Sequence, residues 1–374
     1  MPLIPKPKTM FRSLYEKVVP PNSDTTLTKE RPDGFLTAKG IDALFPRTNP
    51  ETDGEECLHD CASCSVSLPR KWSIDEEDRL YGGINGWSRH LLVATGQTDW
   101  VRSVEDVKGS VMEAVGQHMS KVEGGKLMLS ASNIPPPEIP GDHIGPYGPD
   151  RPTTVLLMPS FTYIENVTPK HVPQLIESVI NTAPTNTTRL DSTDLQSNGT
   201  TSNGDVPHTP MPPPPKNLPA GLTLRSCPHK YIILLCSQAT RDARCGQSAP
   251  LLRKELERHL RPLGLFRDLH DERPGGVGIY FISHTGGHKY SANMMVYRRA
   301  EIRRTVQEQM ENGEANGEKS NFEDGEAAQC IWLARIRPED CENVVRFTVL
   351  QGKVVKPERQ LRGGFDREKG IVSW

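Results

Sequence analysis

The stretch "FISHTGGHK" places two imidazoles, His284 and His288, four residues apart with Gly286 and Gly287 between them. On a helix that spacing would put both rings on one face, but two adjacent glycines disfavour a helix there. The pair therefore belongs to a tight loop after the apolar run "VGIYFIS". Upstream, "LLCSQATRDARCGQSAPLL" carries Cys236 at the end of another apolar run and Cys245 nine residues later. Two thiols and two imidazoles make a four-donor set, Cys-x8-Cys, a 38-residue spacer, then His-x3-His.

Each pair follows a predicted strand, and parallel neighbouring strands would bring the two loops to one edge of a sheet. Zinc and a [2Fe–2S] cluster both accept sulfur and nitrogen together. Structural zinc commonly draws its cysteines from a C-x2–4-C knuckle, and Cys-x8-Cys is wider than that. Unliganded core residues are the third reading of the four positions. Ser248 and Pro250 read as the start of a helix whose leucines, Leu251, Leu252, Leu256 and Leu260, pack on the sheet. Its N-terminus favours negative charge at the Cys245 loop.

The motifs "CSQATRDARCG", "FISHTGGHKYSANMMVY" and "IWLARIRPED" resemble the sucrase/ferredoxin-like proteins of fungi and plants. The resemblance covers most of residues 227–350 and, more loosely, 56–180. It implies a thioredoxin-like ferredoxin fold in the second half and a [2Fe–2S] cofactor held by Cys236, Cys245, His284 and His288. Ordinary thioredoxin-like ferredoxins carry cysteines where His284 and His288 stand. The implied activity is electron transfer, with the donor and acceptor unknown. Arg241, Arg244, Gly286, Gly287 and Lys289 flank the ligands and are candidates for offsetting cluster charge or approaching sulfide. A zinc-stabilised interaction module on the same four residues is the alternative. No glycosidase-like pair of carboxylates is visible, and Asp268, Asp271 and Glu272 read as a polar loop.

A further cluster, "EECLHDCASC", holds Cys57, Cys61 and Cys64 and suits redox-active or weakly metal-binding thiols. A thiol redox protein built on it is another alternative function. Cys341 reads as a core residue, and His229, His259 and His270 as surface or packing residues. The ending "GIVSW" resembles C-terminal signals recognised by the cytosolic iron–sulfur assembly machinery, which makes Trp374 a targeting candidate.

The frame for these residues reads as mixed α/β. Two successive runs share a strand–helix–strand–strand–helix order, and Val167-x-Pro169-x-x-Val172 matches Ile336-x-Pro338-x-x-Cys341. With the resemblance, this predicts two thioredoxin-like units, the first without ligands. Residues 1–55 read as an arm, 56–182 as the first unit, 183–226 as a disordered linker, 227–357 as the cluster unit and 358–374 as a tail. A polar insert at 311–326 reads as an exposed loop.

Charge is near balance, 45 basic against 47 acidic residues, so no nucleic-acid footprint is expected. No apolar run approaches a membrane span. With no secretory signal, the eight cysteines read as thiols or metal ligands in a reducing compartment. The cytoplasm is the expected location and the mitochondrion its alternative.

Overall fold

The computed structural model of the chain describes residues 27–138, 151–190, 218–300 and 325–374. Short apolar and β-branched runs such as "RHLLVA" and "YIILLC" are buried along their whole length, so they need cover on both faces. Among the described residues they lie in one mixed sheet of 14 strands.

In the first half β1 is Leu27–Glu30, β2 Leu36–Ala38, β3 Arg89–Ala94 and β4 Leu127–Ser132. They are followed by β5, Thr153–Met158, β6, Thr162–Val167, and β7, Thr223–Ser226. In the second half β8 is Tyr231–Cys236, β9 Phe266–Arg267, β10 Val277–Ile282 and β11 Met294–Arg299. The chain ends through β12, Ala327–Leu333, β13, Leu361–Asp366, and β14, Ile371–Val372. The spatial order is β1-β2-β14-β13-β12-β11-β8-β10-β4-β3-β5-β6-β7, with β9 beside β10.

Both halves use the same local wiring. β3 and β4 are parallel and β5 and β6 follow antiparallel; β8 and β10 are parallel and β11 and β12 follow antiparallel. Pro169 and Pro338 each open a 3-10 turn that runs into a helix with a π-helical stretch, Ile176–Ile180 and Val344–Val349. The halves join through an antiparallel contact between Ile282 of β10 and Ser132 of β4. The strands of both halves are therefore one sheet, and not sheets separated by a linker.

Helices cover one face, where Leu91, Val93, Ile233 and Leu235 pack with Val115, Ile176, Leu256 and Val345. The opposite face closes on itself, as long twisted sheets do when they curl. There Tyr163 of β6 meets Tyr280 of β10 at 3.3 Å between hydroxyls, and His90 of β3 meets the Tyr297 hydroxyl of β11 at 3.2 Å.

Three expected irregular segments are folded where the structure describes them. In the arm, Phe35, Leu44 and Phe45 are buried, and β2 pairs in parallel with β14. At the linker's edges, Asn186 donates to the Trp87 carbonyl and Thr223–Ser226 is a strand; residues 191–217 lie outside the described residues. The tail forms β13 and β14. Residues 1–26 and most of the 311–326 insert also lie outside the described residues.

Candidate metal centre

Cys236 ends β8, and the parallel register sets it directly against Ile282 of β10. The loop that leaves β10 therefore starts beside the Cys236 sulfur. His284 follows with its Nδ1 3.9 Å from that sulfur, while its backbone N–H donates to Gln238 Oε1 at 2.8 Å. Gln238 is in turn fixed by donating to the Val101 carbonyl at 2.5 Å.

Cys245 does not sit in a loop. The helix Ala243–Leu260 starts five residues before the expected Ser248, because Asp242 caps it by accepting from the Arg244 N–H at 2.9 Å. Pro250 is inside this helix. Cys245 thus lies in the first helical turn, where unpaired N–H groups favour a thiolate. Its hydrogen bond with Cys236 holds the Cys245 thiol below the ordinary cysteine value and pushes Cys236 well above it. Both side chains are buried. The two sulfurs are thus hydrogen-bonded to each other, with Cys245 the more acidic of the pair.

Ser291 adds a buried hydroxyl with no oxygen or nitrogen partner, and it helps to hold the Cys245 thiol down. His288 opens the 3-10 turn His288–Tyr290, and its side chain lies outside the described residues.

The glycine loop is held from below by a residue that the sequence did not single out. Arg362, on β13, donates to the Gly286 carbonyl at 3.0 Å and to Asn293 Oδ1 at 2.7 Å, and Asn293 donates to the Gly287 carbonyl at 3.3 Å. A Cβ on Gly287 would stand 2.4 Å from the guanidinium, at a φ of +69°, so only glycine fits. Arg362 also stacks over Trp332, 4.4 Å from the ring centroid. Burial lowers its pKa to about 10, so it stays cationic at neutral pH. Nothing in "QLRGGFD" marks this arginine, because it is distant in sequence from every ligand.

Of the flanking cations, Arg244 pairs with Asp242 at 2.7 Å while its charge also helps to hold the Cys245 thiol down, Lys289 pairs with Asp78, and Arg241 donates to the Arg102 carbonyl at 3.1 Å. Cys57 is buried, while Cys61 and Cys64 are partly exposed on a segment that packs against the second half of the chain. Cys227, Cys330 and Cys341 are buried, and burial pushes the last two thiols up. Trp374 is not a free end. Its ring packs 4.7 Å from that of Trp87, and its carbonyl accepts from Arg31 and Thr37, each at 2.9 Å. No helix among the described residues is long and apolar enough to cross a membrane.

Known proteins share much of this sequence. The chain is 26% identical to Actin patches distal protein 1 of Saccharomyces cerevisiae over 282 residues, covering 71% of this chain and 80% of that protein. It is 28% identical to Altered inheritance of mitochondria protein 32 of Clavispora lusitaniae over 128 residues, about a third of each chain. The protein of that name from Debaryomyces hansenii is also 28% identical, over 127 residues. No solved structure matches. The family model described as Sucrase/ferredoxin-like matches residues 80–363, a span that holds both thiols and both histidines, and the chain belongs to that family.

Proposed function

We propose that the chain is an electron-transfer protein whose Cys236, Cys245, His284 and His288 hold a [2Fe–2S] cluster. The observation that carries this reading is a buried, hydrogen-bonded pair of cysteines with the His284 imidazole 3.9 Å from one sulfur, at one end of two parallel strands. The residues fit such a group. The donors are two soft sulfurs and imidazole, and the Ser291 hydroxyl is placed to donate toward the Cys245 sulfur.

When bound, the cluster supplies a one-electron couple, and two imidazoles in place of thiolates move it from about −400 mV toward roughly −150 to +300 mV. The chain's own residues set the rest. Arg362 fixes the loop and places a positive charge near the Cys236 side. With Nδ1 of His284 turned to the sulfur, Nε2 is the atom that can take up a proton as negative charge arrives. The helix N-terminus favours the Cys245 thiolate over the thiol.

The first half supports the two-unit, thioredoxin-like reading. By register, Ala94 of β3 stands where Cys236 stands in β8, and Ser132 of β4 where Ile282 stands in β10. Ile134 then occupies the place of His284. We read the first run as a duplicate without ligands that covers the second. The cytoplasm remains the location we favour.

The test is iron and acid-labile sulfide content of anaerobically purified protein, with an EPR spectrum after dithionite reduction. Two irons and two sulfides per chain, with an average g below that of all-cysteine centres, are expected. Zinc without iron would replace this reading by a structural metal site.

A further inference from the structure

The Cys57–Cys64 segment has no part in the cluster reading, yet three elements hold it firmly. The Cys61 N–H donates to the Glu339 carbonyl at 3.0 Å, and Asn343 Nδ2 donates to the His59 carbonyl at 2.9 Å. The Ser65 N–H and hydroxyl donate to the Glu255 carboxylate at 2.6 and 2.5 Å. The segment is thus tied to the helix Ala243–Leu260, to the turn Pro338–Asp340 and to the turn Cys341–Asn343.

At that junction the Cys61 sulfur, a His259 ring nitrogen and a Glu342 carboxylate oxygen lie within 4.8 Å of one another. Cys64 lies outside that group: its thiol is 3.5 Å from the Cys61 carbonyl and hydrogen-bonded to the Cys61 side chain, and it must turn toward the other donors to complete a C-x2-C knuckle. Cys57 is outside the group and fully buried.

A second observation shows what these donors face. A cationic nitrogen already stands between two of them: Arg258 Nη2 is 3.3 Å from the Cys61 sulfur and 3.0 Å from His259 Nε2. A guanidinium N–H can meet Nε2 only if that nitrogen presents a lone pair, as a metal ligand must. Burial and the charge of Arg258 both keep His259 neutral. Arg258 donates through its Nε to buried Glu255 at 2.7 Å, and because the guanidinium is a rigid plane it must turn as a unit for its terminal nitrogen to leave.

We propose that Cys61, Cys64, His259 and Glu342 form a zinc site, in which the ion takes the place of the Arg258 terminal nitrogen and staples the 57–65 segment to the two helical elements. Two thiolates, an imidazole and a carboxylate are all zinc donors, and a C-x2-C knuckle is its usual source of sulfur. On binding, each thiol gives its proton to solvent.

The test is residue-resolved alkylation of the full chain, stripped of loosely held metal and then given Zn2+, with each cysteine read by peptide mass spectrometry. One equivalent of zinc is expected to slow alkylation of Cys61 and Cys64 by at least about tenfold. His259→Gln and Glu342→Gln should each abolish that protection, whereas His284→Ala should leave it, which separates this site from the cluster centre. An alkylation rate at Cys61 that zinc does not change in the unmutated chain overturns the proposal. So does protection that survives both His259→Gln and Glu342→Gln.

Discussion

Arg362 is the residue whose loss should be felt most specifically at the centre. It is buried, cationic at neutral pH and hydrogen-bonded to the Gly286 carbonyl. A fixed positive charge stabilises the more negative, reduced state. Arg362→Gln should therefore lower the reduction potential by tens of millivolts, the order set by one charge acting through protein at short range. A mediated redox titration followed by EPR reads this directly, and an unchanged potential would remove Arg362 from the electrostatics of the site. His90 makes a different prediction. It is fully buried, bonded to Ser130 Oγ at 2.9 Å, and desolvation drives its pKa down from 6.5 to about 3. Between those values the unfolded chain binds a proton that the native chain refuses. Stability is therefore complete above pH 6.5 and falls as pH drops toward 3, by up to roughly 1.4 kcal/mol per pH unit. Urea unfolding at pH 7 and pH 5 should show that loss, and His90→Gln should flatten it.

At the scale of elements, the helix Ala243–Leu260 decides whether Cys245 is presented correctly, and its start rests on Asp242. Asp242→Ala should cost about 1 kcal/mol in thermal or urea unfolding, while Asp242→Ser should stay close to the wild type. Equal stability of the two variants would mean that Asp242 does not cap. The same helix shows how much of the site was legible in the sequence. The donor types, their spacing and the strand before each pair could be read because Cys236, His284 and the runs preceding them are local features. The helix boundary was misread because "SAP" is a good start signal in isolation, and the preceding aspartate outcompetes it only once the Arg244 N–H is in place. His259 reads as a surface or packing residue because nothing local links it to Cys61; chain folding brings them together across almost two hundred residues. Strands of two to four residues, such as Thr223–Ser226 and Ile371–Val372, carry too little periodicity to be seen. Residues 27–55 of the arm and the tail therefore read as irregular, although both carry strands.

At the scale of the molecule, one sheet couples the two halves, and the chain's two outer segments close it together. β2 pairs with β14, and Trp374 lies in a slot whose floor is Gly86 and whose wall is Trp87. That slot is tight. A Cβ on Gly86 would come within 2.2 Å of the Trp374 ring, so the indole must leave if residue 86 gains a side chain. Leaving breaks the two hydrogen bonds from Arg31 and Thr37 to the Trp374 carbonyl and loosens β14 between β13 and β2. It does not reach β8 or β10, which are paired with each other in the middle of the sheet. Gly86→Ala should therefore cost about 1–3 kcal/mol, the usual penalty of forcing a side chain into a filled space. Hydrogen exchange should accelerate in peptides covering 36–38 and 361–374 and stay unchanged in 231–236. If Trp374 must be read by the iron–sulfur assembly machinery, the same variant should be read more readily, since its indole is already out of the slot. Exchange that rises evenly through the sheet would instead mean that the terminal tryptophan is part of one cooperative core, and that recognition of it requires the protein to be unfolded.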